Sequence, residues 1–187
     1  VPLSAAVANS LQPVVIGRRR AVAHPSSAKV LPLVVEKQAR INWCWAAVAV
    51  SVRRFFDRGA AARQCDLANS ILGLTTCCDD DVSGNNSQPL PPALIEMDVL
   101  RRIRQGAVTF EEVQAEIDAG RPVACYIAWS AAGGAAHFTC IAGYDAARNI
   151  MIRDPQFDSS TMPFDTFATA YQGSGSWAYT YFLKAPA

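Results

Sequence analysis

Asn42-Trp43-Cys44-Trp45-Ala46-Ala47-Val48-Ala49-Val50-Ser51-Val52-Arg53-Arg54-Phe55-Phe56 is the most helical stretch of this 187-residue chain. Trp45, Val48, Val52, Phe55 and Phe56 recur at helical spacing, which predicts a helix over 43–56 with Gly59 as its stop. The apolar run at its start, 43–50, is the longest in the chain and falls short of the roughly 18 residues a membrane span needs. The expectation is a soluble protein with no membrane partner.

Outward from this helix the punctuation changes twice. On the N-terminal side, β-branched residues over 30–35 suggest a short strand bent by Pro32. On the C-terminal side, 64–72 reads as a second helix closed by Gly73, 77–92 as a polar loop with Asp79-Asp80-Asp81, and 90–103 as a third helix. Thr109 and Glu112 have the spacing of a capping box, so a fourth helix is expected over 110–119, ending at Gly120. After Arg121 the pattern turns to strands: 122–129, 137–144 after a Ser-Ala-Ala-Gly-Gly loop, 150–154 after a turn, and 177–183 after a short helix at 164–171. Helices first and strands second indicate an α+β fold with an antiparallel sheet, not alternating α/β.

Composition narrows the function classes. The length allows one domain of ordinary size, which buries a real core without staples. A formal charge of +1 with 18% charged residues argues against nucleic acid or an anionic membrane as the main partner, since both leave a strong basic excess. Two histidines rule out a histidine-rich metal site, and no metal or other cofactor is expected. Six cysteines fit either a three-disulfide secreted framework or a thiolate enzyme with others left over. Residues 1–29, with Arg18-Arg19-Arg20 and His24-Pro25-Ser26-Ser27, read as a loosely held arm or propeptide remnant before a domain at 30–187. The triple-Arg run reads as solvated surface. The chain opens on Val1 with no signal-peptide layout, which we read as a processed or trimmed chain.

Three places carry chemistry. Cys44 falls in the first turn of the predicted helix, where the positive field of the helix N-terminus favours a thiolate over a thiol. Backbone amides there also stabilise an oxyanion, and the nearby Gln38 side chain can donate a second hydrogen bond. The bland alternative for Cys44 is a small buried hydrophobe between two tryptophans. His137 opens a strand, where a histidine is ordinarily a core or rim residue. A thiolate catalyst, however, needs an imidazole to hold the ion pair and protonate the leaving amine, and His24 lies in the arm. Asp154 ends the next strand, and antiparallel pairing brings it beside the start of the 137 strand, where it can orient the ring. Taken alone it is a turn aspartate before Pro155.

Together these residues resemble the papain-like cysteine peptidases, and more closely their compact bacterial branch, which includes effector peptidases. The resemblance rests on Gln38 six residues before Cys44, the Asn-Trp-Cys-Trp-Ala-Ala run, His137-Phe138 leading into Ile141-Ala142-Gly143-Tyr144, and Asp154-Pro155, and it covers roughly 30–183. It implies a two-lobed fold, an N-terminal helical lobe and a C-terminal antiparallel sheet lobe with the active cleft between them. It further implies Cys44 as nucleophile, His137 as general acid/base, Asp154 as orienting residue and Gln38 as oxyanion donor. The expected activity is endopeptidase hydrolysis through an acyl-thioester. Two alternatives stay open: a transglutaminase-like acyltransferase on the same triad, and a catalytically inert interaction module. The expected partners are a protein or peptide substrate and an inhibitor or immunity protein, and the expected state is a monomer. The expected location is secreted, extracellular or delivered into a target cell. The resemblance also implies one disulfide between 65 and 78, from Cys65 to Cys77 or Cys78; where relatives carry a further cysteine this chain has Asn85 and Asn86. With Cys44 a nucleophile, five cysteines remain, an odd number, and Cys125 and Cys140 on neighbouring predicted strands are expected as reduced core thiols.

Overall fold

The computed structural model describes residues 28–79, 82–129 and 136–187. Arg18-Arg19-Arg20, His24 and nearly all of the expected arm lie outside these residues, as do Asp80, Asp81 and the loop at 130–135. Helices α1 (Cys44–Phe56), α2 (Gln64–Leu72), α3 (Leu90–Glu96), α4 (Phe110–Asp118) and α5 (Phe164–Ala170) accompany seven strands. These are β1 (Lys29–Val30), β2 (Leu100–Gln105), β3 (Val123–Trp129), β4 (Ala136–Tyr144), β5 (Asn149–Arg153), β6 (Ser160–Pro163) and β7 (Gly175–Leu183). The strands form one antiparallel sheet in the order β2-β7-β3-β4-β5-β6, with β1 added on β4.

The fold is α+β, as the sequence pattern indicates. α1 sits in the middle because its first nine residues, Cys44 to Val52, are all buried, too many for one amphipathic stripe. It lies on the sheet face made by Ala124, Phe138, Cys140 and Ala142, with α2 and α3 completing the helical lobe. On the opposite face Cys125, Ile127, Ile141 and Ile152 pack with α4 and α5. Period-two alternation along β3 and β4 thus supplies two cores from one sheet. Local signals act as written: the Thr109 hydroxyl accepts from Glu112 N–H while the Glu112 carboxylate accepts from Thr109 N–H, and Gly73 ends α2 at φ 66°.

Two expectations need correction. The helix expected over 90–103 stops at Glu96; Asp98 turns the chain at φ 52°, and 100–105 becomes the sheet-edge strand β2, paired with β7. Arg102 lies over the Phe182 ring and Arg104 pairs with Glu112, so a largely exposed strand gains its partners from β7 and α4. The strand expected over 30–35 is only two residues long, and although Leu31 N–H still reaches Ala142, Pro32 has no N–H to continue the ladder. β6 carries no apolar alternation, and the sequence pattern assigns no element to it. The disulfide joins Cys65 to Cys78, and Cys44, Cys77, Cys125 and Cys140 keep their thiols.

Candidate active site

α1 delivers Cys44 at its first residue, preceded by Trp43, and the residue is 7% exposed. The flanking tryptophans explain how this end is held. Trp43 Nε1 donates to the Gly84 carbonyl at 2.7 Å, Trp45 Nε1 to the Asn86 carbonyl at 3.1 Å, and Asn42 bonds Asn85 through its backbone N–H and its side chain. Gly84 must be glycine: a Cβ there would stand 2.6 Å from Cys77 Sγ. The loop at 84–86 is therefore a clamp on the start of α1, a function its polar composition alone did not disclose.

β4 and β5 bring the other two residues together. Cys140 pairs with Arg153 and Ile141 with Ile152, so the start of β4 meets the end of β5, and His137 Nε2 lies 2.7 Å from Asp154 Oδ2. Both residues are 3% exposed. Cys44 also acts on the imidazole, and with Nε2 taken by Asp154 it is Nδ1 that is left for the sulfur. Burial alone lowers the His137 pKa, but the hydrogen bonds and charges of Asp154 and Cys44 outweigh it, so the pKa is pushed up to about 9. Burial likewise opposes ionisation of Asp154, yet His137 and two backbone N–H groups hold it below its ordinary value. Those N–H groups, of Gln156 and Phe157, reach Oδ1 at 2.7 and 2.8 Å. Asp154 is thus both the turn residue of the bland reading and the histidine's partner.

Aromatic rings enclose the imidazole. Trp129 stacks on it with centroids 6.4 Å apart, Phe157 meets it edge-on at 5.5 Å, and Tyr171 stacks on Trp129 at 6.3 Å. Tyr171 Oη also donates to Asp154 Oδ2 at 2.8 Å. Neither Trp129 nor Tyr171 stood out in the sequence, because each looks like an ordinary strand or helix-end aromatic.

Gln38 is brought to the same place. Its backbone N–H reaches the Pro155 carbonyl at 3.1 Å, and Gln64 of α2 holds the preceding segment through Ala39 N–H, Glu36 and the Lys37 carbonyl. Its side-chain Nε2 is directed at the Arg40 and Ile41 carbonyls at 3.2 and 2.5 Å, while Oε1 is buried without a hydrogen-bond partner among the described residues.

A family model described as the Peptidase_C39 like family matches residues 30–182, which takes in every element from Val30 through nearly all of β7. The chain belongs to the Peptidase_C39-like family. This C39-like protein is a cysteine peptidase, a hydrolase. Its fold is similar to that of a candidate C39-like peptidase from Bacillus anthracis, with TM-score 0.55 and 17% identity over 85% of this chain and 99% of that one. It is also similar to Xylellain, a cysteine protease from Xylella fastidiosa, with TM-score 0.51 and 14% identity over 86% of each chain. A double glycine motif protease from an AMS/PCAT transporter, solved with the leader peptide, matches at TM-score 0.49 and 15% identity over 85% of this chain and 95% of that one. No curated protein matches in sequence.

Proposed function

We propose that this C39-like peptidase is an endopeptidase working through Cys44, His137 and Asp154. The observation that carries the reading is the buried imidazole held between a carboxylate and the sulfur at the start of α1. In the resting pair the His137 imidazolium faces the Cys44 thiolate. The sulfur attacks the peptide carbonyl carbon, and the C–S bond forms as the carbonyl π pair moves to oxygen. His137 then gives its proton to the amine as the C–N bond breaks. Water, losing a proton to His137, hydrolyses the thioester and releases the Cys44 sulfur.

The oxyanion has one donor ready, the Cys44 backbone N–H, which as the first residue of a helix has no intrahelical acceptor. Gln38 Nε2 is the second, once its amide turns from the Arg40 and Ile41 carbonyls; the unpartnered Oε1 marks a side chain with a reason to turn.

The substrate is a protein or peptide. Between the helices and the sheet lies a cavity of about 540 Å³, with Pro89 and Pro91 on the helical side and Tyr126, Phe138 and Tyr181 on the sheet side. Its proline and aromatic lining suits an apolar side chain of the bound peptide. The Cys65–Cys78 disulfide favours an oxidising compartment and supports a secreted enzyme, extracellular or delivered into a target cell.

Cleavage profiling on a peptide library, with Cys44→Ala as control, tests the activity. Cut peptides lost in the variant support the reading, and a fully active Cys44→Ala protein overturns it. Transfer of the acyl group to an added amine in preference to water would instead assign the acyltransferase chemistry.

A further inference from the structure

The Asp154 carboxylate accepts four hydrogen bonds, and one comes from a side chain outside the triad. Tyr171 Oη donates to Oδ2, the same oxygen that meets His137 Nε2, whereas Oδ1 is taken by the Gln156 and Phe157 N–H groups. One oxygen is therefore fixed by backbone and the other by two side chains, so the carboxylate has no free rotation about its Cβ–Cγ bond.

The delivery of this hydroxyl is built into the chain. Tyr171 has no exposed surface, and its ring is held between Trp129 and Phe167. Its backbone exchanges two hydrogen bonds with Gly175, each 2.8 Å, across a tight turn in which Gln172 and Gly173 adopt φ of 48° and 89°. A Cβ on Gly175 would stand 2.5 Å from Ile127 Cγ2, 2.6 Å from the Trp129 ring and 2.9 Å from the Tyr171 carbonyl oxygen. Only glycine lets β7 start close enough to hold Tyr171 in place.

We propose that Tyr171 is a positioning residue, whose hydroxyl fixes the Asp154 carboxylate and draws part of its charge away from His137, keeping the imidazolium a competent acid. This rests on the triad proposed above. Sharing Oδ2 between two donors weakens its hold on the imidazolium proton, and the leaving amine needs that proton. The other titratable groups that sense this cluster are the thiols of Cys44 on α1, Cys125 on β3 and Cys140 on β4, and the Lys37–Asp158 ion pair lies over the turn after Asp154. Burial pushes Cys125 and Cys140 up, so both stay neutral thiols and leave the balance to Tyr171, Asp154, His137 and Cys44.

The test is Tyr171→Phe, which keeps the ring and removes one hydroxyl. For a peptide chosen by library profiling, kcat should fall by roughly three- to tenfold with KM unchanged. The high-pH limb of kcat/KM should move upward, since Oδ2 then bears on His137 alone. Gly175→Ala displaces the turn, and because its Cβ also meets the Trp129 ring that stacks on His137, the upward shift of the high-pH limb, and not the loss of kcat alone, is what counts for Tyr171 if Tyr171→Phe does not fold. Wild-type kcat and an unmoved limb in Tyr171→Phe, with Cys44→Ala and His137→Ala inactive, overturn the role of Tyr171 alone. If the wild type neither cleaves peptides nor has Cys44 alkylated by iodoacetamide faster than the unfolded chain, the triad reading fails and this inference with it.

Discussion

Asp154→Asn replaces one atom at the bottom of the site and should move the pH profile furthest. Asp154 Oδ2 accepts from His137 and Tyr171, and Oδ1 accepts from Gln156 and Phe157 N–H. With Oδ1 kept toward His137 and Tyr171, an asparagine turns its NH₂ onto the Gln156 and Phe157 N–H donors and loses two buried hydrogen bonds, at about 2 to 3 kcal/mol of stability; turned the other way, it can keep its contacts only by donating to a neutral imidazole. The charge matters more. His137 is raised from 6.5 to about 9 against the opposing pull of burial; without the carboxylate only Cys44 opposes that pull, and the value returns to 6.5 or below. The difference corresponds to about 3 kcal/mol less stabilisation of the imidazolium. The sign follows from the raised value: the acid form is present below the folded pKa and lost above it. At pH 8 the wild type is mostly imidazolium and the variant is not, a deficit of roughly 30-fold. The assay is kcat/KM between pH 5 and 10 on a fluorogenic peptide chosen by profiling. The expected result is a high-pH limb that drops from near 9 to 6.5 or lower, with roughly 30-fold less activity at pH 8. A limb that stays near 9 would refute the reasoning, since something other than Asp154 would then hold the proton.

Other outcomes follow from the same geometry. His137→Ala should lose more kcat than Asp154→Ala, because it removes the proton carrier and not its orientation; steady-state kinetics on the same peptide compares them. In Gly143→Ala the new Cβ would stand 2.6 Å from the Lys29 carbonyl oxygen and 3.0 Å from Val30 Cα, both backbone, so β1 must move. Denaturant melts should show about 1 to 3 kcal/mol lost. Reducing Cys65–Cys78, which closes a loop with a sequence separation of 13, should lower stability by about 3 kcal/mol, read as a lower thermal midpoint in dithiothreitol. A Cys65→Ser/Cys78→Ser protein should melt at the same temperature with and without the reductant.

How much was legible in the sequence depended on whether a signal was local. The capping box at Thr109 and the stop at Gly73 are written in residues a few positions apart, and both stand where expected. The pairing of His137 with Asp154 was accessible because a short turn between two strands fixes which ends meet. β2 was not accessible. Leu100-Arg101-Arg102-Ile103-Arg104-Gln105 lacks strand alternation, and what makes it a strand is β7, whose own residues lie some eighty positions later. Tyr171 was hidden for the same reason: its meaning comes from Asp154 and from a glycine turn that places it, and neither is visible in a helical heptad or a strand period. Gln38 shows a third limit, since spacing before Cys44 placed it at the site but did not say that its amide nitrogen is directed at two carbonyls of its own loop.

The most direct measurement is the rate at which iodoacetamide labels each cysteine of the folded, unreduced protein between pH 5 and 10, with sites mapped by mass spectrometry. Paired with His137, Cys44 should be the fast site, many-fold faster than in the denatured chain, despite its being nearly buried. His137→Ala should abolish that advantage. Labelling of Cys44 no faster than in the denatured chain, or equally fast in His137→Ala, would contradict the claim that the two form the reactive pair.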